Sequence, residues 1–247
     1  MCSSESFFDT ISEFYDKMTG FEKALVARTK VYSKFLTKGM KSAADLGCGT
    51  GLDSIALSLN GIQVTAFDLS QGMIDKALVK SKELNLEIEF HNYALDTIPE
   101  KFNNLFSLAV SMGNTLANLD RQKIRKALKR SFQTLQPGGI FLLQILNYEK
   151  ILKSRERIVN ITHEGEKYYV RFYDFQDETI DFNILSFDER ELVYKHLVTT
   201  KIYPYSSVFM RQLLSEEGYR EIEFYGNLDM EIFDPGRSKD LIITAKK

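Results

Sequence analysis

Residues 43–51 read Ala-Ala-Asp-Leu-Gly-Cys-Gly-Thr-Gly, a short apolar run carrying an acid and then glycines at alternate positions. Glycine has no Cβ and tolerates positive φ, so such a loop can turn sharply and let backbone approach a ligand closely. A second apolar run, 62–67, ends at Asp68. An acid at the tip of the next strand suits the two hydroxyls of a ribose. Together these features describe a site for a nucleoside-bearing cofactor. The dinucleotide fingerprint is spaced G-x-G-x-x-G, whereas this loop is G-x-G-x-G with Asp45 ahead of its first glycine. That carboxylate would repel a pyrophosphate and hold an ammonium group, which makes a nicotinamide oxidoreductase the weakest rival. A ligand-free turn would not need strand, acid, glycines and second acid in register.

The elements that would position these residues follow from periodicity. Phe7, Ile11, Phe14 and Met18 recur at helical spacing, as do Phe21, Leu25, Tyr32 and Phe35, so 1–40 reads as two amphipathic capping helices divided at Thr19-Gly20. From 41 to 150 strands and helices alternate. Expected strands end at Asp45 and Asp68, and further ones cover 86–91, 105–110 and 140–146. Helices between them carry Ile55 and Leu59, then Met73, Ile74 and Ala77 behind a Ser70 cap, then Ile124, Ala127, Leu128 and Ser131. Repeated βα units imply an α/β, doubly wound, mostly parallel sheet with helices on both faces. Ligands bind such sheets beyond the carboxyl ends of the strands. Segment 206–247 returns to this domain with a helix capped at Ser206 or Ser207, then two strands, 220–225 and 240–245, as an antiparallel edge pair that brings the sheet to seven strands.

Between them, 151–205 changes character. The runs 158–162, 167–175, 180–187 and 192–203 are β-rich, with hairpin turns at 163–166 and 188–191. We expect a small antiparallel β insertion over the substrate site. Its aromatics, Tyr168, Tyr169, Phe172, Tyr173, Phe175, Phe182 and Tyr194, would supply a packed face and wall off a pocket.

Bulk properties narrow the class. The chain has 247 residues, enough for one large α/β domain with an insertion. At 44% hydrophobic and 27% charged it reads as an ordinary globular protein, and a net charge of −2 provides no global field for nucleic acid or anionic membrane. The two cysteines, Cys2 and Cys48, are not placed for a disulfide, which fits a reducing cytoplasm. The first residues lack a basic-then-apolar leader pattern, and no run approaches a membrane span. No metal site is expected.

The glycine loop with its leading acid resembles the D/E-x-G-x-G-x-G signature of class I S-adenosylmethionine-dependent methyltransferases, which have a Rossmann-like sheet. Four further segments narrow the resemblance: 112–119 (Met-Gly-Asn-Thr-Leu-Ala-Asn-Leu), Asn147-Tyr148-Glu149, Arg171-Phe172-Tyr173-Asp174 and Phe233-Asp234-Pro235. With Tyr15-Asp16 they are similar to the glycine/sarcosine N-methyltransferase-like small-molecule group over nearly the whole chain. The resemblance implies S-adenosyl-L-methionine as cofactor. Gly47, Cys48 and Gly49 would pass under its methionine part, Asp45 would lie near its amino group and Asp68 at its ribose, with Tyr15, Leu69, Met73 and Met112 completing the cofactor site. Relatives place an acid or asparagine at the adenine after strand three. Here Ala94 and Leu95 would present backbone instead, leaving Asp96 outside. Relatives also carry an arginine near the cofactor carboxylate where this chain has Ala24, and Arg28, one turn on, is the substitute. For the acceptor, the resemblance implies Arg171 as carboxylate clamp, with Asn114, Tyr148 and Tyr173 lining the pocket and the two tyrosines orienting the acceptor for catalysis. It also leaves room for a homo-oligomer.

Methyl transfer from a sulfonium releases a neutral thioether, so no acid need protonate it, and positioning supplies most of the catalysis. His91, His163 and His196 have no evident partner that would make one a base. The basic run 121–130 raises a second class, a nucleic-acid methyltransferase. Ile124 and Leu128 take the buried side of that helix, however, and the Asn/Asp-Pro-Pro-aromatic loop of amino-methylating nucleic-acid enzymes is missing. A third class is a non-catalytic S-adenosylmethionine-binding regulator, marked by binding without turnover.

Overall fold

The computed structural model describes residues 4–13, 15–188 and 195–247. The expectations for Cys2, Phe14, Tyr194, the side chain of Met18 and the turn residues 189–191 fall outside them. In chain order the elements are α1 (Ser4–Ile11), α2 (Tyr15–Thr19), α3 (Phe21–Phe35), β1 (Ser42–Leu46), α4 (Leu52–Leu59), β2 (Gln63–Asp68), α5 (Gln71–Glu83), β3 (Ile88–Asn92), β4 (Phe106–Ser111), α6 (Arg121–Thr134), β5 (Leu135–Leu146), α7 (Tyr148–Ser154), β6 (Ile158–Glu164), β7 (Lys167–Phe175), β8 (Ile180–Asp188), β9 (Lys195–Ile202), α8 (Ser207–Glu216), β10 (Arg220–Tyr225) and β11 (Asp240–Lys246). Short 3-10 turns occupy 95–97, 100–102 and 115–118.

Among the described residues the strands form two sheets. The larger has seven strands in the order β10-β11-β5-β4-β1-β2-β3. β1 to β5 are parallel, β11 pairs antiparallel with β5, and β10 pairs antiparallel with β11 at the edge. The strand order reverses between β1 and β4, so the loops after these two strands open into one crevice, where such sheets place ligands. β4 is buried at every position because parallel strands covered on both faces need no polar side. Two helix starts follow the anticipated caps, Ser70 accepting from Met73 N and Ser206 from Phe209 N, and α6 has a further one in Asp120, which accepts from Gln122 and Lys123 N. On α6, Ile124, Ala127, Leu128 and Ser131 face the core, while the basic run is largely solvated.

The second sheet is β6-β7-β8-β9, antiparallel throughout. Side chains alternate across it, so Tyr169, Arg171, Tyr173 and Phe175 share the inner face with Phe182, while Tyr168 and Phe172 take the other. Tyr168 there stacks on His163 at 4.3 Å and on Phe187 at 5.3 Å. The aromatics are therefore divided between two faces. The inner face packs on α1, where Phe7 and Ile11 cluster with Met73, Ile184 and Val198. The chain leaving β9 is tied to the loop after β4, with Tyr203 N donating to Ala117 O and Tyr205 Oη to Leu119 O.

Two local expectations are corrected. The first N-terminal helix ends at Ile11 and restarts at Tyr15, because Ser12 Oγ turns back to bond Asp9 O and competes with the helical ladder. After β5 there is a further helix, α7, capped by Asn147, which accepts from Lys150 N. Asn147 also donates to Pro235 O and Ser238 O. The segments 147–149 and 233–235 are thus partners in one loop closure.

Candidate active site

A cavity of about 250 Å³ lies at the carboxyl ends of β1, β2 and β4. The glycine loop forms its floor. Gly47 and Cys48 N both donate to Phe67 O, which folds the loop back over β2. Gly47 has φ +85°, and a Cβ there would sit 2.2 Å from Thr115 Cγ2. Gly49 has φ +52° with nothing within 4 Å of a notional Cβ, so the loop presents bare backbone to open space. Asp68 leans across this gap. Its Oδ2 accepts from Gly49 N at 2.8 Å and its Oδ1 from Ser70 N at 2.9 Å. Burial raises its pKa, and those amide bonds oppose the rise. The carboxylate is thereby held with lone pairs to spare for hydroxyl donors.

Asp45 lies beneath the loop at 1% exposure, outside the cavity lining, and accepts from Ser54 Oγ at 2.5 Å. Burial, helped by the charge of Asp53, pushes its pKa up to about 8. Cys48 lines the cavity, but burial drives its thiol well above the ordinary value, so it is no ready nucleophile.

The N-terminal helices roof the cavity with Phe8, Tyr15 and Phe21. Two carboxylates hold them down. Asp9 accepts from Ser70 Oγ and Gly72 N at the start of α5. Asp16 accepts from Thr50 Oγ1 at 2.5 Å and pairs with Lys80 at 2.5 Å. Arg28 reaches the cavity from α3 and pairs with Asp53 of α4, which also accepts from Tyr32 Oη at 2.6 Å. Leu69, Met73, Ala94, Leu95 and Met112 complete the lining from the anticipated set, while Asp96 stays off it.

Of the acceptor candidates, Asn114 and Tyr148 are turned toward each other. Tyr148 is 1% exposed, its Oη 2.7 Å from Asn114 Nδ2 and donating to Asn114 Oδ1 at 2.9 Å. Leu146 N also donates to Asn114 Oδ1. Neither residue lines the cavity. Arg171 and Tyr173 lie on the inner face of β7, also off the lining. Tyr15 links the two regions, being within electrostatic reach of Asp68 and Arg171 alike. Burial pushes Arg171 below its ordinary pKa and Tyr173 up to about 12. Among the described residues Arg171 has no carboxylate partner, and its Nε donates to Asn160 Oδ1.

Sequence reading did not single out Asp53, Thr50, Thr115, Asn118 or the roof residues Phe8 and Phe21. Thr50 lies within the glycine motif and Asp53 just beyond it, and Thr115 and Asn118 lie in the quoted segment after strand four, so proximity was a signal. Nothing local marked Phe8 or Phe21 apart from helical periodicity.

The donor set fits S-adenosylmethionine: bare backbone at Gly49, a fixed acid with free lone pairs at the tip of β2, a buried acid under the loop and the lined pocket beside Ala94 and Leu95. Comparison with known proteins agrees. Residues 43–139 match the model of the family described as Methyltransferase domain. The chain is 20% identical over 237 residues to a glycine/sarcosine N-methyltransferase of Parasynechococcus marenigrum, covering 94% of this chain and 82% of that protein. It is 28% identical over 147 residues to a glycine N-methyltransferase of Oryctolagus cuniculus, spanning 52% of this chain and 50% of that one. A solved structure of an S-adenosylmethionine-dependent methyltransferase from Clostridium acetobutylicum superposes with a TM-score of 0.78 at 18% identity, over 97% of this chain and 98% of that one. No helix among the described residues is long and apolar enough to cross a membrane.

Proposed function

We propose that the chain, a class I S-adenosylmethionine-dependent methyltransferase, methylates the nitrogen of a small amino-acid-like acceptor whose carboxylate is held by Arg171. One observation carries this reading. Arg28, which lines the cavity, is neutralised by Asp53, and Lys80 behind its roof by Asp16, whereas Arg171, on the inner face of β7 off the lining, is half-buried without a carboxylate partner among the described residues. A desolvated charge without a counter-ion is costly, and an anionic ligand relieves that cost. The name of the Parasynechococcus relative supports the same acceptor class.

When bound, the cofactor supplies an electrophilic methyl on sulfur and leaves as a neutral thioether. The chain's own residues then bind, orient and exclude water. Asp68 takes the ribose hydroxyls, and Asp45, buried beneath the glycine loop, answers the ammonium through its field across the loop, not by contact. The roof of α1 and α2 keeps water out. Arg171 sets the acceptor's carboxylate, and Tyr173, a phenol protonated at neutral pH and pushed further that way by burial, orients the nitrogen by hydrogen bonding. Tyr148 and Asn114 brace the loop after β4 against β5. Holding two reactants in line is worth roughly 7–11 kcal/mol. A small molecule, and not nucleic acid, is the partner in this reading. The buried thiol of Cys48 suits a reducing cytoplasm.

Transfer of labelled methyl from S-adenosylmethionine to glycine, sarcosine, their amides, RNA and DNA tests the reading. Label on glycine or sarcosine is the expected outcome. Label confined to nucleic acid, or to amines without a carboxylate, would overturn it.

A further inference from the structure

Arg171 is braced from the neighbouring strand. Its Nε donates to Asn160 Oδ1, directly opposite on β6. The register that sets this pair runs unbroken from the hairpin, from Glu164 with Lys167 to Asn160 with Arg171, and shifts only beyond it, between Asn160 and Ile158. Directly opposed residues share one face of a sheet, so the amide faces the guanidinium. The shift leaves Val159 as the extra residue, 42% exposed, so the pair closes the regular part of the ladder.

The type of partner matters as much as its place. An amide oxygen accepts one guanidinium N–H and brings no charge. The two terminal nitrogens have no ion-pair partner among the described residues, and they carry the parallel N–H pair that matches a carboxylate. A carboxylate at position 160 would occupy the guanidinium and cancel its charge, and an alanine would leave Nε unpaired and the side chain free to change rotamer.

We propose that Asn160 is a positioning residue that fixes Arg171 through a neutral contact and thereby sets the site's preference for an anionic acceptor. The inference rests on the reading of Arg171 as the acceptor's anchor. It applies to the acceptor alone and leaves the cofactor site untouched.

The test compares glycine or sarcosine, whichever takes label, with its amide. Asn160→Asp, Asn160→Ala, Arg171→Ala and the double variant Asn160→Asp/Arg171→Ala are measured for acceptor KM and kcat. Acceptor binding to protein loaded with S-adenosylhomocysteine is followed by calorimetry. Thermal melting and cofactor Kd confirm the fold. Asn160→Asp is expected to lower the kcat/KM ratio of acid over amide at least tenfold, mainly through KM. Asn160→Ala should lower it a few-fold, and in the double variant the aspartate should add nothing to Arg171→Ala. A purely structural role would weaken acid and amide alike and would overturn the proposal, as would additive effects of the two substitutions. If Arg171→Ala weakens the acid and Asn160→Asp does not, the role of Asn160 falls while the anchor stands. If Arg171→Ala has no effect, the anchor falls and the role of Asn160 falls with it.

Discussion

The floor of the cavity and the inner wall of the second sheet, to which the proposed function assigns cofactor and acceptor, solve opposite problems. On the floor, the polar groups are already held by the protein: Asp68 by Gly49 and Ser70 amides, Arg28 by Asp53, Asp16 by Lys80 and Asp45 by Ser54. Such a surface is rigid before any ligand arrives and presents only spare lone pairs. On the wall, the one side-chain hydrogen bond of Arg171 among the described residues goes to a neutral amide, and Tyr173 has aromatic neighbours, Phe175 and Phe182. The floor suits a ligand whose identity does not vary. The wall leaves its charge unspent, which is what selection of one acceptor over another requires.

The comparison breaks most sharply at Asp68. Asp68→Ala should weaken S-adenosylmethionine binding at least tenfold, since each charge-assisted hydrogen bond lost is worth about 1.5–3 kcal/mol. An unchanged dissociation constant in a folded variant would move the ribose contact elsewhere. Arg171→Ala should raise acceptor KM about tenfold, the loss of a single charged anchor, and leave cofactor affinity intact. A parallel loss of both would merge the two regions into one. The split would not survive that result.

A subtler effect lies under the glycine loop. With Asp45 pushed up to about 8 against an unfolded carboxyl near ~3.9, the unliganded fold binds an extra proton across that interval. Its stability is therefore fullest below the unfolded pKa and declines as pH rises toward 8. A ligand ammonium on the far side of the glycine loop favours the ionised form of the carboxylate beneath it, so at pH 7 cofactor binding should release up to about one proton. Calorimetry in two buffers of different ionisation enthalpy should detect that release, and Asp45→Asn should abolish it. Equal heats in both buffers would place the ammonium away from Asp45. The smallest effect is expected at the roof. Lys80→Met removes a half-buried pair worth about 0.5–1 kcal/mol, and stopped-flow should find cofactor release accelerated about two- to fivefold. No acceleration would show that the Asp16 contact does not hold the roof closed.

Much of the floor could be read from the chain because it is nearly contiguous. Between Ala43 and Ser70, strand, glycines, acid and helix cap follow one another, and each is dictated by local chemistry: positive φ at Gly47 and Gly49, an acid at a strand tip, a serine accepting from an amide three residues on. The alternating elements of the main sheet were legible for the same reason. The break at Ser12 was not, because the helical period runs through it and only a side-chain bond to Asp9 interrupts it. Helix α7 was hidden by its shortness and by a cap, Asn147, whose second task is to bind a loop some ninety residues on. The two faces of the insertion could not be assigned without register, which is why Tyr168 and Tyr173 looked alike in sequence and stand on opposite sides.

By itself, then, the sequence determined the alternation of strands and helices, the glycine loop and the two acids that flank it, since these depend on residues within a few positions of one another. Tertiary structure decided which charges are spent and which are free. The pairing of Arg28 with Asp53, of Asn114 with Tyr148 and of Arg171 with Asn160 across two strands each joins residues apart in sequence, and a hydrogen bond or ion pair between such residues exists only once packing has brought them within about 3 Å.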